Sequence, residues 1–259
     1  MVVRGGRSLE ALQGNISWEV LSARFEEVFY GIVIADGLGG AARGEVASRR
    51  ALESLLAMGL QRPDWILRLG KEEVPEVMWR MADSFIRVHA ALLHDAAEDP
   101  SLHGMATTMT AAVTLGDDLI LTHVGDSRTY LLRGGKMKQL TRDHSAAQEL
   151  IDTGRYGRHD RLVKELRSVL NQALGAKALE CRPEVQHLKL EDGDTLMLCT
   201  DGLTDMVDER TIEESLKRAV PARVAADTLL NLALARGGRD NVTAIVARYS
   251  IPKPAPQSS

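Results

Sequence analysis

Aromatic residues are scarce in this chain: Phe, Trp and Tyr make up 4% of its 259 residues. A core built from it must be aliphatic, from Leu, Val, Ile, Ala and Met. Cysteine is scarcer still, with Cys181 and Cys199 alone, which leaves little for a disulfide framework. Cys199 lies in an apolar run and reads as a reduced core thiol. No Cys/His cluster with zinc spacing occurs. No apolar run approaches the roughly 20 residues of a membrane span, and residues 1–7 lack the apolar stretch of a signal peptide. Neither sign of charge dominates: 32 Lys and Arg stand against 36 Asp and Glu, a net charge of -4. Their interspersion argues against a nucleic-acid surface built on global charge. The expectation is a soluble, cytoplasmic protein with neither a membrane nor a nucleic acid as partner. There is no internal repeat and no long linker, and residues 252–259 read as a disordered tail.

What is present is a 44% hydrophobic chain able to bury a sizeable core. Residues 1–24 have weak periodicity and receive no element. Residues 29–35 read as a buried strand. A helix is expected over 44–57, with Ala51, Leu52, Leu55 and Leu56 on its apolar face. A second is expected from Pro75, a good first-turn residue, with the stripe Met78, Met81, Ala82, Phe85, His89 and Leu92. That stripe reads as core packing, with His89 at its edge. The middle is an antiparallel meander: strands over 107–115, 119–124, 129–133 and 136–140, with Gly134-Gly135 as a hairpin turn. A short helix over 146–152 is followed by a flexible, basic segment (Arg155, Arg158, His159, Arg161, Lys164) leading to another short helix. A hairpin over 184–190 and 195–199, helices over 209–219 and 222–235, and a strand over 242–249 complete the chain. Long helices beside runs of hairpins argue for helices covering sheets rather than a βαβ wind.

Within this frame four acids recur in similar settings. Asp36 follows Ile-Val-Ile-Ala and precedes Gly-Leu. Asp201 follows Leu-Met-Leu-Cys-Thr and precedes Gly-Leu. Asp240 stands before the last strand, and Asp126 interrupts a strand pair as Gly-Asp-Ser-Arg. A buried, unpaired carboxylate is expensive. For any one of the four, the plainer reading is a turn aspartate bonded to its own loop. Taken together, they describe acids at the rim of a sheet that would repel one another unless cations sat between them. Hard divalent cations take oxygen ligands, and Mg²⁺ or Mn²⁺ needs few carboxylates plus water. Two such ions ~3.5–4 Å apart would activate a water and clamp a phosphoryl group.

Six motifs carry a resemblance over residues 31–248. They are Ala35-Asp36-Gly37-Leu38-Gly39-Gly40, Met105-Ala106-Thr107-Thr108, Val124-Gly125-Asp126-Ser127-Arg128, Leu140-Thr141-Arg142-Asp143-His144-Ser145, Thr200-Asp201-Gly202-Leu203 and Arg239-Asp240-Asn241-Val242-Thr243. In this order they resemble the metal-dependent protein phosphatases of the PPM type, also called protein phosphatase 2C, in their bacterial form. The resemblance implies an α+β fold: a four-layer α-β-β-α sandwich of two antiparallel sheets flanked by helices, formed as one domain over 1–251. It implies hydrolysis of phosphoserine and phosphothreonine by a metal-activated water, with no phosphoenzyme, reversing a cognate Ser/Thr kinase. The cofactor would be Mg²⁺ or Mn²⁺, two ions with a weaker third. Asp36 resembles the acid bridging the two metals, and the Gly37 carbonyl a ligand of one. Asp201 and Asp240 resemble the ligands of the other, so Asp36, Asp201 and Asp240 are the expected catalytic set. Asp126 resembles a ligand of the third metal, shared with Asp201. Residues 146–180 resemble the flap beside the active site, whose Arg155 to Lys164 run would either hold acidic phosphopeptides or form a solvated basic loop.

The sequence departs from the family's pattern upstream of Phe25. The family carries an Arg and then Asn-Glu-Asp or Asn-Gln-Asp on its first strands. Residues 13–15 here read Gln-Gly-Asn, without a carboxylate. Arg7 is the nearest candidate for the phosphate ligand, at a different spacing, and Glu10, Glu26 or Glu27 would have to supply an acid. Residues 1–24 are thus degenerate relative to the family. The alternative reading is a catalytically weak or inactive regulatory module on the same fold that binds phosphoproteins.

Overall fold

The structure is a computed structural model that describes residues 1–5, 10–13, 29–61, 74–179 and 181–251. The expected tail, with Arg7, Glu26 and Glu27, lies outside the described residues. The first strands are β1 (Val2–Gly5), β2 (Glu10–Gln13), β3 (Phe29–Ile34) and the short β4 (Gly37–Leu38). Helices α1 (Ala41–Gln61) and α2 (Val74–Glu98) follow. The meander is β5 (Ala106–Thr107), β6 (Met109–Leu115), β7 (Asp118–Val124), β8 (Arg128–Arg133) and β9 (Lys136–Gln139). After α3 (Ala146–Asp152) and α4 (Arg161–Glu165) come the strands β10 (Glu184–Lys189) and β11 (Thr195–Cys199). The chain closes with α5 (Asp201–Thr204), α6 (Glu209–Lys217), α7 (Ala222–Ala235) and β12 (Ala244–Arg248).

Two antiparallel sheets dominate, one of six strands in the order β10-β7-β6-β3-β1-β2 and one of four in the order β12-β11-β8-β9. Period-2 side-chain alternation sorts the core into three apolar layers. Val33, Ala111, Val113 and Ile120 point out of the six-stranded sheet, against Ala51 of α1 and Met81, Phe85 and Val88 of α2. Their neighbours Ile32, Ile34, Ala112, Leu119 and Leu121 face the other way and meet Leu131, Leu196 and Leu198 between the sheets. On the four-stranded sheet, Tyr130, Leu132, Met197 and Cys199 turn outward to Leu203, Ile212, Leu216 and Leu229 beneath α5, α6 and α7. The result is the α-β-β-α layering expected of the motifs. Cys199 is fully buried and unpaired, and burial pushes its thiol up to about 12.

Local signals set the element ends. Ser145 caps α3 by accepting from the Gln148 N–H at 3.3 Å, and Asp208 caps α6 by accepting from the Thr211 N–H at 2.9 Å. Each such cap stabilises its helix by about 1 kcal/mol.

Several expectations need correction. Residues 1–24 do contain strands: β1 pairs with both β2 and β3. Weak periodicity hid them, because short strands give too few residues for alternation to emerge. The strand expected over 107–115 is broken at Thr108, where β5 leaves to pair with β4. The first helix runs longer than expected, and α5 forms from Asp201, where no element was expected.

Candidate metal centre

β3 and β11 belong to different sheets but release their chains at the same end of the sandwich, each into an Asp-Gly pair. Asp36 is fixed through its backbone. Its carbonyl accepts from Thr107 Oγ1 at 2.8 Å and from the Thr108 N–H at 2.8 Å, and its N–H donates to Thr108 Oγ1 at 3.1 Å. Thr108 Oγ1 also pairs with Ser127 Oγ at 2.9 Å, so the break in the β5–β6 strand ties the Asp36 and Asp126 turns together.

Asp201 opens α5 and is positioned differently. Gly202 lets the Asp240-bearing turn approach: a Cβ here would overlap the Asn241 carbonyl oxygen. Thr200 completes the lacing, its N–H donating to the Thr243 carbonyl at 3.1 Å and its Oγ1 accepting from the Thr243 N–H at 3.1 Å. Asp240 stands exposed at the rim, with its Oδ1 accepting from the Asn241 N–H at 2.7 Å.

The carboxyl groups sense one another. The Asp36 carboxyl is held well above its ordinary range by burial, by the charge of Asp201 and a hydrogen bond to it, and by Asp240. Asp201 is raised by burial, then by Asp205 and Asp240. Asp126 is raised by burial and by Asp201, Asp143 and Asp36. Two carboxyls in hydrogen-bond contact share a proton because both cannot ionise cheaply side by side. Asp201 Oδ1 is moreover buried with no partner. Among the described residues no three His, Cys, Asp or Glu side chains are gathered tightly enough to hold an ion as they stand. An all-oxygen donor set with an orphaned buried oxygen and a proton-sharing pair fits a hard divalent cation, which would replace the shared proton. The Gly37 N–H supports the Asp36 carboxylate.

Asp126, Asp201 and Asp240 line a cleft of about 340 Å³, faced by Lys164, Arg167 and Arg239. Of the basic flap run, Arg158 is paired with Glu209 at 3.0 Å and Arg161 with Glu165 at 2.7 Å. Lys164 is the member of that run that lines this cleft. Arg167 and Arg239 were missed from sequence. Arg239 had a signal, its adjacency to Asp240, whereas Arg167 reaches the cleft through the course of the flap. Arg128 and Asp143 form a bidentate pair, with Arg128 Nε 2.9 Å from Asp143 Oδ1 and Nη2 2.6 Å from Oδ2. This pair joins the Gly-Asp-Ser-Arg and Arg-Asp-His-Ser motifs. Arg7 lies outside the described residues, and Glu10 falls in β2 opposite Arg4 of β1.

The family model for Protein phosphatase 2C matches residues 20–235. The chain belongs to the protein phosphatase 2C family. It is 36% identical over 219 residues to the serine/threonine protein phosphatase PstP of Mycobacterium tuberculosis. That match takes in 83% of this chain and spans 40% of the length of PstP. It is 33% identical over 222 residues to the serine/threonine phosphatase stp of Listeria innocua, covering 85% of this chain and 84% of the relative. Among solved structures of the family, the catalytic domain of PstP in complex with two manganese ions superposes with a TM-score of 0.70. Its identity is 32%, over 95% of this chain and 98% of that one. Staphylococcus aureus Stp1 superposes with a TM-score of 0.76 at 27% identity, covering 86% and 84% of the two chains.

Proposed function

We propose that this protein is a metal-dependent serine/threonine protein phosphatase that removes phosphate from phosphoserine and phosphothreonine, reversing a cognate kinase in the cytoplasm. The observation that carries this reading is the Asp36–Asp201 carboxyl pair, with Asp126 and Asp240 at the same cleft. Asp36, the Gly37 carbonyl, Asp201 and Asp240 would hold two cations, and Asp126 with Asp201 would hold a weaker third. Mn²⁺ and Mg²⁺ both suit these donors. Once bound, the cations would supply an activated water and neutralise charge on the phosphoryl oxygens. The chain's own part is to orient. Thr107 and Thr108 hold the Asp36 turn, Thr200 holds Asp201 against Asp240, and Lys164, Arg167 and Arg239 give the cleft a cationic wall for the phosphate. Residues 1–251 would act as one catalytic domain. Among the described residues no helix is long and apolar enough to cross a membrane, and the free thiols of Cys181 and Cys199 suit a reducing compartment.

The test is Mn²⁺-dependent release of phosphate from a phosphothreonine peptide. Turnover that requires Mn²⁺ and is lost in Asp201→Asn supports the reading. A folded wild-type protein with no turnover at millimolar Mn²⁺ would leave the phosphoprotein-binding module instead.

A further inference from the structure

His144 is fully buried and outside the candidate ligand set. Its ring Nδ1 accepts from the Gly125 N–H at 3.1 Å, while the His144 backbone N–H donates to the Gly125 carbonyl at 2.7 Å. Both polar groups of the residue before Asp126 are therefore held by one histidine. Gly125 has φ +112, and a Cβ there would overlap the Thr108 side chain, so this turn has little freedom to seek other partners. A backbone N–H can only donate, so Nδ1 must carry the lone pair and the ring proton sits on Nε2. Nε2 faces Glu184 Oε1 at 3.3 Å. Beneath it lies the His123 ring, with centroids 4.8 Å apart, itself anchored by Thr110 Oγ1 at 2.8 Å from its Nδ1. Thr110, His123 and Glu184 stand on adjacent strands, Thr110 opposite His123 and Glu184 opposite His123. The ring of His144 is thus packed from below by His123 and faces Glu184 at its far nitrogen, with one nitrogen aimed at the turn that carries Asp126.

We infer that His144 is a positioning residue for the Asp126 cation site, acting through the Gly125 backbone. This rests on the reading of Asp126 as a ligand of the weaker third metal. Asp126 projects from a turn, and a carboxylate on an untethered turn ligates poorly, because binding must then order the turn as well. Fixing both polar groups of Gly125 removes that ordering cost before the cation arrives. Residues that orient ligands in this way change metal affinity by roughly 10–100-fold when lost.

Two isosteric substitutions separate the two ring nitrogens. The Asn side-chain oxygen can take the place of Nδ1, and the Gln side-chain amide the place of Nε2. Bound Mn²⁺ is counted directly, by electron paramagnetic resonance of the free ion during titration, with melting temperature followed in parallel. In His144→Asn all ions are expected to bind within about threefold of wild type, because Gly125 keeps its acceptor. In His144→Gln the weakest ion is expected to bind about tenfold more loosely while the tighter ions are unchanged. Glu184→Gln, which leaves the Gly125 contact intact, is expected to bind as wild type and keeps the test decisive should His144→Gln fold poorly. If Asn and Gln behave alike, or if Glu184→Gln loosens the weakest ion, the inference is overturned. Asp126→Asn distinguishes this from failure of the underlying reading. Loss of the weakest ion there confirms the ligand, and retention of every ion would remove the ligand and the inference together.

Discussion

The Asp36 and Asp201 turns are nearly the same in sequence, an apolar strand followed by Asp-Gly-Leu and a helix, yet the molecule supports them in different ways. Asp36 is held by threonine hydroxyls and amides that bond its own peptide groups. Asp201 is held by becoming the first residue of α5 and by the close approach of Asn241 to Gly202. Its side chain keeps one buried oxygen without a partner. The first turn is tied down through its peptide groups, and the second presents an unsatisfied acceptor. The Asp36 backbone is thus fixed by hydrogen bonds, while Asp201 keeps a buried carboxylate oxygen that would gain most from a cation.

Neutralising the unsatisfied Asp201 carboxylate has the largest expected effect. If the proposed phosphatase reading holds, Asp201→Asn is expected to lower kcat/KM by at least ~100-fold through loss of the proposed cation ligand, while circular dichroism shows an intact fold. Wild-type rates would refute the assignment. The same substitution should raise the melting temperature of the metal-free protein at pH 8 by removing like-charge repulsion. A pH effect follows from the pair. The Asp36 carboxyl, ordinarily at 3.8, is raised to about 7 in the fold. Unfolded chains therefore ionise first as pH rises, so metal-free stability falls between about pH 4 and about pH 7 and levels off above. Mn²⁺ must displace the shared proton at low pH and need not at high pH. The rise in melting temperature on adding Mn²⁺ is expected to be larger at pH 8 than at pH 5.5, and equal shifts would show that the pair does not share a proton.

Much of this architecture was legible in the residues. The meander, the helix-covered sheets and the four acids follow from alternation, glycine turns and recurring flanks. The lacing was not. Thr107 and Thr108 read as β-branched residues inside one strand, and nothing in their spacing says that the strand breaks so that both bond the Asp36 peptide. Gly202 reads only as the residue after an acid, although its place is to admit Asn241, some 40 residues later in the chain. Strands β1 and β2 were missed because each is four residues long, too short to show a period. The flap run read as a basic stripe, but Arg158 and Arg161 are spent on Glu209 and Glu165. The Arg161–Glu165 pair is an i,i+4 helix pair that the spacing could have shown, whereas Arg158 and Glu209 lie far apart in the chain and their pairing leaves no trace in local sequence.

The close approach at Gly202 gives the next largest effect. Gly202→Ala forces a methyl against the Asn241 carbonyl, and the overpacking is expected to cost about 1–3 kcal/mol, read by urea denaturation. Gly40→Ala is the control. Gly40 has φ +87 but open space around its Cβ position, so the cost there is backbone strain alone, about 1–2 kcal/mol. Loss of activity should follow Gly202→Ala more than the stability change explains, because Asp240 moves away from Asp201.

The last pair of substitutions asks whether threonine hydroxyls hold the peptide groups of Asp36 more firmly than those of Asp201. Thr108→Val keeps the shape but leaves the Asp36 N–H without its acceptor and Ser127 Oγ without its partner. A cost of about 1–3 kcal/mol is expected for the stranded buried donor. Thr204 is the counterpart on the other turn, its Oγ1 donating to the Asp201 carbonyl at 3.4 Å. That bond is long, and the Asp201 carbonyl already accepts from the Asp205 N–H at 2.8 Å as part of the helix. Thr204→Val is therefore expected to cost no more than about 0.5 kcal/mol and to leave Mn²⁺ binding unchanged. If the two substitutions cost the same, threonine hydroxyls hold the two Asp peptide groups alike, and the orphaned Asp201 oxygen must be explained by something other than a difference in that support.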